Sequence, residues 1–164
     1  MSASPASRAQ SRQAALQLLY SLDVGHGGAE AIVPDAVDRE LDVIAANFEL
    51  PDAARDYART LAHGVARHRE AIDRLVAAHA TNWRLERMAA VDRNVLRLAV
   101  YELGWEHLPV SVAIDEAVEL ARRFGSDPSP AFVNGVLDAV AHTLGGAAPE
   151  HAPSDAPGGG AGTA

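Results

Sequence analysis

The chain has no cysteine and no lysine. Without cysteine there is no disulfide framework and no thiolate to act as nucleophile or metal ligand. An apolar leader segment near the N-terminus is also missing, as is any apolar run long enough to span a bilayer. The opening MSASPASRAQSRQ is polar and rich in serine and alanine. The expectation is a soluble, cytoplasmic protein with no membrane attachment. No segment alternates apolar and polar residues as a half-buried strand does, so β-structure is not expected. There is no G-x-S-x-G, no phosphate loop and no dinucleotide-binding glycine pattern. The run Gly158, Gly159, Gly160 lies in a low-complexity stretch and reads as flexible chain rather than a phosphate cradle.

What is present is charge, and it is segregated. All 14 basic residues are arginine, and the net charge is −8. Residues 30–58 hold eight acids against Arg39 and Arg55, whereas residues 59–97 hold eight arginines against four acids. Arginine presents a planar fork that suits phosphates and stacks on bases; the excess over lysine is equally explained by a coding bias. The acidic total argues against a non-specific nucleic-acid binder, which carries a broad basic footprint. A local basic patch remains compatible with it.

Apolar spacing then predicts helices throughout. A helix over residues 7–23, with Ser7 as N-cap, buries Ala15, Leu16, Leu18, Leu19 and Leu22. A second, over 34–48, carries Val37, Leu41, Ile44 and Phe48. A long third helix opens after Pro51 and reaches residue 79. A short turn over 83–87, with Asn82 before it, leads into VDRNVLRLAVYEL, residues 91–103. There Val91, Val95, Leu96, Leu98, Ala99, Val100 and Leu103 cover an apolar arc wider than the stripe of a surface helix. This helix is therefore expected in the middle of a bundle, with Arg93, Asn94, Arg97 and Tyr101 on the one face left to water or a partner. Asp92 and Glu102 project into the apolar arc. Asp92 sits where a carboxylate favours a helix start, and Glu102 needs a partner if it is buried. A helix over 110–124 places Val112, Ile114, Ala117, Val118 and Ala121 inside. Ser129 and Pro130 read as N-cap and first-turn proline of a last helix ending near residue 144. Its Gly135 suggests a close helix crossing. Residues 145–164 cannot bury enough apolar surface to fold and are expected to be disordered. The expected architecture is all-α: about seven helices in two packed sub-bundles joined near Ala80, forming one domain over 1–144.

No catalytic constellation stands out. His63 and His68 are five apart, which is not one helix face, so neither a metal site nor a metal cofactor is expected. Asp115 and Glu119 share a face, but solvated acids near a helix start are the ordinary reading. On these grounds the chain is a helical, non-enzymatic binding module.

Three segments narrow this further: RQAALQLLY at 12–20, MAAVDRNVLRLAVYEL at 88–103, and PVSVAIDEAVELARRFG with FVNGVLD at 109–125 and 132–138. With the matching helix order they resemble the NusB family of bacterial transcription antitermination factors over about residues 7–144. The resemblance implies binding of boxA RNA in ribosomal RNA operons. It also implies partnership with NusE, a small-subunit ribosomal protein, and entry into an RNA polymerase antitermination complex. Carried over residue by residue, Arg8 and Arg12 match phosphate-contacting arginines, although Ala9 and Gln10 stand where the family is often basic. Phe132 matches a position beside the RNA, and Pro128 stands where a family member carries an acid. Tyr20, Glu86, Asp92 and Arg97 match positions on the NusE-facing side. Arg8 and Arg12 are four apart and so share a helix face; as a two-point phosphate clamp they would project beyond the core, with Phe132 near enough to stack a base.

Two other readings follow from the same residues. One is a protein-interaction module, possible as a homodimer, with weakened RNA affinity, motivated by the thinned arginine set and the acidic total. The other is a fragment of a ribosomal RNA cytosine methyltransferase, whose N-terminal appendage is similar. It is not the expected reading, because no α/β cofactor domain follows residue 144 in this sequence and there is no nucleophilic cysteine.

Overall fold

Helical spacing with no competing alternation resolves into six α-helices in the computed structural model, which describes residues 5–25, 27–47 and 49–146. They are α1 (Pro5–Gly25), α2 (Pro34–Asn47), α3 (Asp52–His79), α4 (Ala90–Gly104), α5 (Val110–Phe124) and α6 (Ser129–Gly146). Two 3-10 turns, Ala29–Ala31 and Leu85–Arg87, link α1 to α2 and α3 to α4. The second of these turns is the expected seventh helical element. Among the described residues there is no strand. α6 continues to Gly146, two residues into the stretch 145–164 expected to be disordered; Phe48 and residues 147–164 lie outside the described residues.

α4 is the central element. Val95, Leu96, Leu98, Ala99, Val100 and Leu103 are all buried. The helix is touched by α1 and α3 on one side and by α5 and α6 on the other. Each fully buried leucine contributes about 1.5–3 kcal/mol over its exposed state, so a helix with so wide an apolar arc gains most at the centre. The two sub-bundles are therefore α1–α3 and α5–α6, joined through α4 after α3 ends at the Ala80 cap.

Several local expectations change. α1 starts at Pro5, a residue suited to a first turn, so Ser7 lies inside the helix and does not cap it. The Ser11 hydroxyl is shared between the carbonyls of Ser7 and Ala54, 2.8 Å from each, and so ties α1 to α3. Ser129 accepts a hydrogen bond from the Ser126 amide at 3.0 Å, so its hydroxyl closes the preceding loop rather than capping α6. Val112 is exposed, because it falls outside the face of α5 formed by Ala113, Ile114, Ala117, Leu120 and Ala121. Gly135 is not at a close crossing: a Cβ there would meet nothing within 4 Å. The close crossing is at Gly64 on α3, where a Cβ would overlap the Tyr101 ring of α4.

The largest change concerns the polar face of α4. Asn94, Arg97 and Tyr101 are buried and Arg93 is half-buried, so this face does not meet water. The reason lies on other helices. α1 brings Asp23 and α3 brings Asp73 against these residues, and a buried guanidinium is tolerated when carboxylates neutralise it and occupy its donors. The spacing of α4 records only its own side chains and cannot show acids arriving from elsewhere.

Candidate nucleic-acid interface

α1 and α4 run antiparallel, and two polar nodes pin them together. At the end of α1, Asp23 Oδ2 accepts from Arg93 Nε at 2.7 Å, Asn94 Nδ2 at 3.0 Å and Arg97 Nη1 at 3.0 Å. Arg97 also donates to both oxygens of Asp73, at 2.9 and 3.2 Å, so it bridges α1 and α3. Arg93 reaches on to the carbonyls of Leu85 and Met88, both at 3.0 Å, and so holds the 3-10 turn against α4. Burial alone would raise the Asp23 carboxyl. Hydrogen bonds from Arg93 and Asn94 and the charges of Arg97 and Arg93 outweigh it and hold the group below its ordinary value.

At the other end of α4, Glu102 is only 2% exposed, and its required partner is Arg12. Arg12 Nε lies 3.1 and 3.0 Å from the two carboxylate oxygens, and its Nη2 lies 2.9 Å from Oε2. The Tyr57 hydroxyl donates to the same carboxylate at 3.0 Å. Burial first, then the charge of Glu102 and this hydrogen bond, push the Tyr57 phenol upward, so it stays a donor. Arg8 stacks over the Tyr57 ring at 4.9 Å from its centroid. It forms no ion pair with a carboxylate among the described residues, and its Nε has no hydrogen-bond partner.

The expected two-point clamp is therefore not formed as drawn. Arg8 is available, but Arg12 is 4% exposed and is committed to Glu102. The physical reason is that a buried carboxylate on α4 needs a cation, and α1 supplies the nearest one. Phe132 is also remote from this pair. It lies beside Asp92, at the opposite end of α4 from Glu102; ten residues of helix separate the two ends, about 15 Å of rise.

Around that N-terminal end of α4 are two concavities. One, of about 280 Å³, is a corner built by Trp83, Arg87, Asp92, Pro128 and Phe132 with the backbone around Met88. Trp83 is 55% exposed and meets Phe132 edge-on, with centroids 6.3 Å apart and ring planes at 74°. Asp92 is buried, yet its Oδ1 has no hydrogen-bond partner. The other is a groove of about 460 Å³ lined by Gln13, Gln17, Tyr20, Leu50, Val91 and Phe124. Tyr20 and Phe124 are exposed there, so Tyr20 is not a core residue.

Of the expected partner-facing residues, three lie at or near the surface, in separate places. Tyr20 lines the groove, Glu86 is exposed on the 3-10 turn before α4, and Asp92 lines the corner. Arg97 does not join them; it is 1% exposed and bridges Asp23 and Asp73 inside the fold. Trp83, Arg87 and Phe124 were not singled out from the sequence. The signal available for the first two was an aromatic among arginines in TNWRLERM, a segment with too few apolar residues to bury it. His63 hydrogen-bonds Asp38 at 2.9 Å and His68 stacks on Trp105 at 4.7 Å, which accounts for both as packing residues.

Comparison with known proteins bears on this surface. A family model described as the NusB family matches residues 9–142. The transcription antitermination protein NusB of Anaeromyxobacter dehalogenans is 49% identical over 138 residues, covering 84% of this chain and 92% of the relative. That of Symbiobacterium thermophilum is 45% identical over 143 residues, covering 87% and 94%. Among solved structures, NusB of T. maritima superposes with a TM-score of 0.70 at 34% identity, covering 87% of this chain and 93% of that one. A chain from a structure of the antitermination factors NusB and NusE in complex with dsRNA gives 0.69 at 27% identity, covering 85% and 99%.

Proposed function

The chain belongs to the NusB family, and from that membership we propose that it acts in transcription antitermination by binding RNA together with NusE. Its RNA target is the boxA sequence of ribosomal RNA operons, and its destination is the RNA polymerase antitermination complex. The observation that carries this reading is the likeness to NusB solved with NusE and double-stranded RNA, over 85% of this chain. Two features of the surface support it. Arg8 is a cation held in place over Tyr57 with no carboxylate bound to it among the described residues, which suits a phosphate. Phe132 offers a ring at the edge of an open corner, which suits a base. Tyr20, Glu86 and Asp92 form the NusE-facing side around the start of α4. Arg12 and Arg97 serve this surface indirectly: one holds α1 on α4 and so positions Arg8, the other locks α1 to α3 and α4.

Binding of boxA RNA by the protein alone and with NusE, across a salt series, tests this. The expected result is tighter binding with NusE and an affinity that falls as salt rises. Equal affinity for boxA and a scrambled sequence, with or without NusE, overturns it. The second reading, a protein-interaction module or homodimer with weak RNA binding, draws on the withdrawal of Arg12 from the surface and on the exposed rings in the groove. Sedimentation of the isolated protein decides it: a stable dimer that buries Tyr20 and binds boxA no better than a scrambled RNA favours this second reading.

A further inference from the structure

We propose that His68 and Trp105 are positioning residues for RNA binding: their stack fixes a bend in α3, and the bend sets where Tyr57 holds Arg8. This rests on the RNA-binding reading above and deepens its Arg8 contact.

The first observation is the bend itself. α3 has 28 residues and is interrupted at His68, whose backbone is non-helical (φ −112°, ψ 18°). A sharp break in a helix needs a cause, and no proline lies inside α3. The cause is on α4. The Tyr101 ring occupies the space that a Cβ of Gly64 would fill, one turn before the break. Trp105, one turn after Tyr101, stacks on His68 with centroids 4.7 Å apart and planes at 20°. The Tyr101 ring lies within 8° of parallel to Trp105, and its hydroxyl donates to Glu106 at 2.9 Å, which fixes the ring. Tyr101 thus presses on the α3 backbone while Trp105 holds the side chain at the break. Burial first, and then the charge of Arg67, hold the His68 imidazole below its ordinary value, so at neutral pH it stacks as an uncharged ring.

The second observation is what lies on either side of the break. Before it, α3 is tied to the start of α1: the Ala54 carbonyl accepts from Ser11 at 2.8 Å, and Arg8 lies over the Tyr57 ring. The Tyr57 hydroxyl is in turn fixed to α4 through Glu102. After the break, Asp73 accepts from Arg97, which also donates to Asp23 at the end of α1. Tyr57 and Asp73 are about 24 Å apart along the helix. Two segments of α3 each meet α1 and α4, and the break lets them take different directions. Arg8 is joined to no carboxylate among the described residues, so the Tyr57 ring is what orients its guanidinium. Without the His68 ring on Trp105, α3 recovers regular helical geometry at the break, and its first segment carries Tyr57 away from Arg8.

His68→Ala tests this. His68 is half-buried and alanine favours a helix, so the variant folds, and melting temperature checks that. In a Trp83→Phe background Trp105 is the sole tryptophan; its emission is expected to change in His68→Ala. Titration of boxA RNA into the complex with NusE, across a salt series, reads the function. His68→Ala is expected to weaken binding and to flatten the slope of log affinity against log salt by up to about 0.7, one phosphate contact on a single strand. His68→Phe, which keeps a ring on Trp105, is expected to keep the wild-type slope. In Arg8→Ala, the further change His68→Ala is expected to add no loss. Unchanged Trp105 emission in His68→Ala removes the stack and the proposal with it. Altered emission with wild-type affinity and slope overturns the proposal and leaves the RNA reading standing. Losses that add to those of Arg8→Ala, or a His68→Phe variant as weak as His68→Ala, also overturn it. If Arg8→Ala binds boxA like wild type, the Arg8 contact and this proposal fall together while the RNA reading stands. No boxA binding by the wild-type complex removes both.

Discussion

Replacing Arg12 with alanine separates a structural arginine from an RNA-contacting one. Glu102 is 2% exposed and accepts from Arg12 through Nε and Nη2, and from the Tyr57 hydroxyl. In Arg12→Ala the carboxylate keeps only Tyr57. Removing one partner of a buried pair costs about 3–5 kcal/mol, because the other charge is left uncompensated. A domain of this size has roughly 5–15 kcal/mol in total, so the loss should be plain. Urea unfolding followed by far-UV circular dichroism reads it directly. Two further variants sharpen the result. Arg12→Lys keeps the charge but loses the fork that meets both carboxylate oxygens, so it should fall between wild type and alanine. Replacing Arg12 and Glu102 together by methionine removes both charges and should recover most of the alanine loss, since such pairs exchange for apolar groups at little cost. The reasoning is refuted if Arg12→Ala unfolds within about 1 kcal/mol of wild type while boxA affinity collapses; Arg12 would then be a phosphate contact after all.

The remaining predictions concern Arg8, two glycines and one carboxylate. Arg8→Ala should leave stability nearly unchanged and flatten the slope of log affinity against log salt by about 0.7, one phosphate contact on a single strand; an unchanged slope removes Arg8 from the RNA path. Gly64→Ala should destabilise by about 1–3 kcal/mol, because its Cβ overlaps Tyr101 and the crossing must open. Gly135→Ala should instead gain up to about 1 kcal/mol, the usual helix preference, since a Cβ there meets nothing within 4 Å. Melting temperatures of the two variants that moved in the same direction would show that the crossing is misplaced. The Asp23 carboxyl is held below its ordinary value by Arg93, Asn94, Arg97 and Arg93's charge against the opposing effect of burial. Its contribution is therefore complete above the unfolded carboxylate value of about 3.9 and is lost as pH falls through the lower folded value. Asp23→Asn should cost on the order of 3 kcal/mol at neutral pH and show a shallower decline in stability below about pH 4; an equal decline in both proteins refutes this.

How far the chain could be read follows from where each signal resides. The wide apolar arc over 91–103 announced a central helix, and the missing alternation announced an all-α fold, because both are periodicities of one segment. Glu102 even announced its own need for a partner. That the partner is Arg12, ninety residues earlier, was not legible, and so Arg12 looked free for RNA. Arg97 failed in the same way: on its helix it shares a polar face with Arg93 and Asn94, and nothing local reveals that Asp23 and Asp73 close over that face. Trp83 carried no local signal of its own. Its exposure depends on Phe132, from α6, standing at its edge and not over its face.

Residue order was enough to specify an all-α chain of about seven helical elements, six of which are α-helices and one a 3-10 turn, with their approximate ends, the central place of α4 and the family. Each of these depends on propensity, spacing or motif within about one helix length, and the chain carries those interactions covalently. Which charges are neutralised inside and which are left for a ligand depends on pairs that meet only when the sub-bundles close on α4. Arg8 and Arg12 are one turn apart on the same helix, yet one stacks on Tyr57 with no ion pair among the described residues and the other is locked to Glu102. The difference lies in the desolvation of Glu102 at the α1–α4 contact, an energy that exists only once α4 is enclosed.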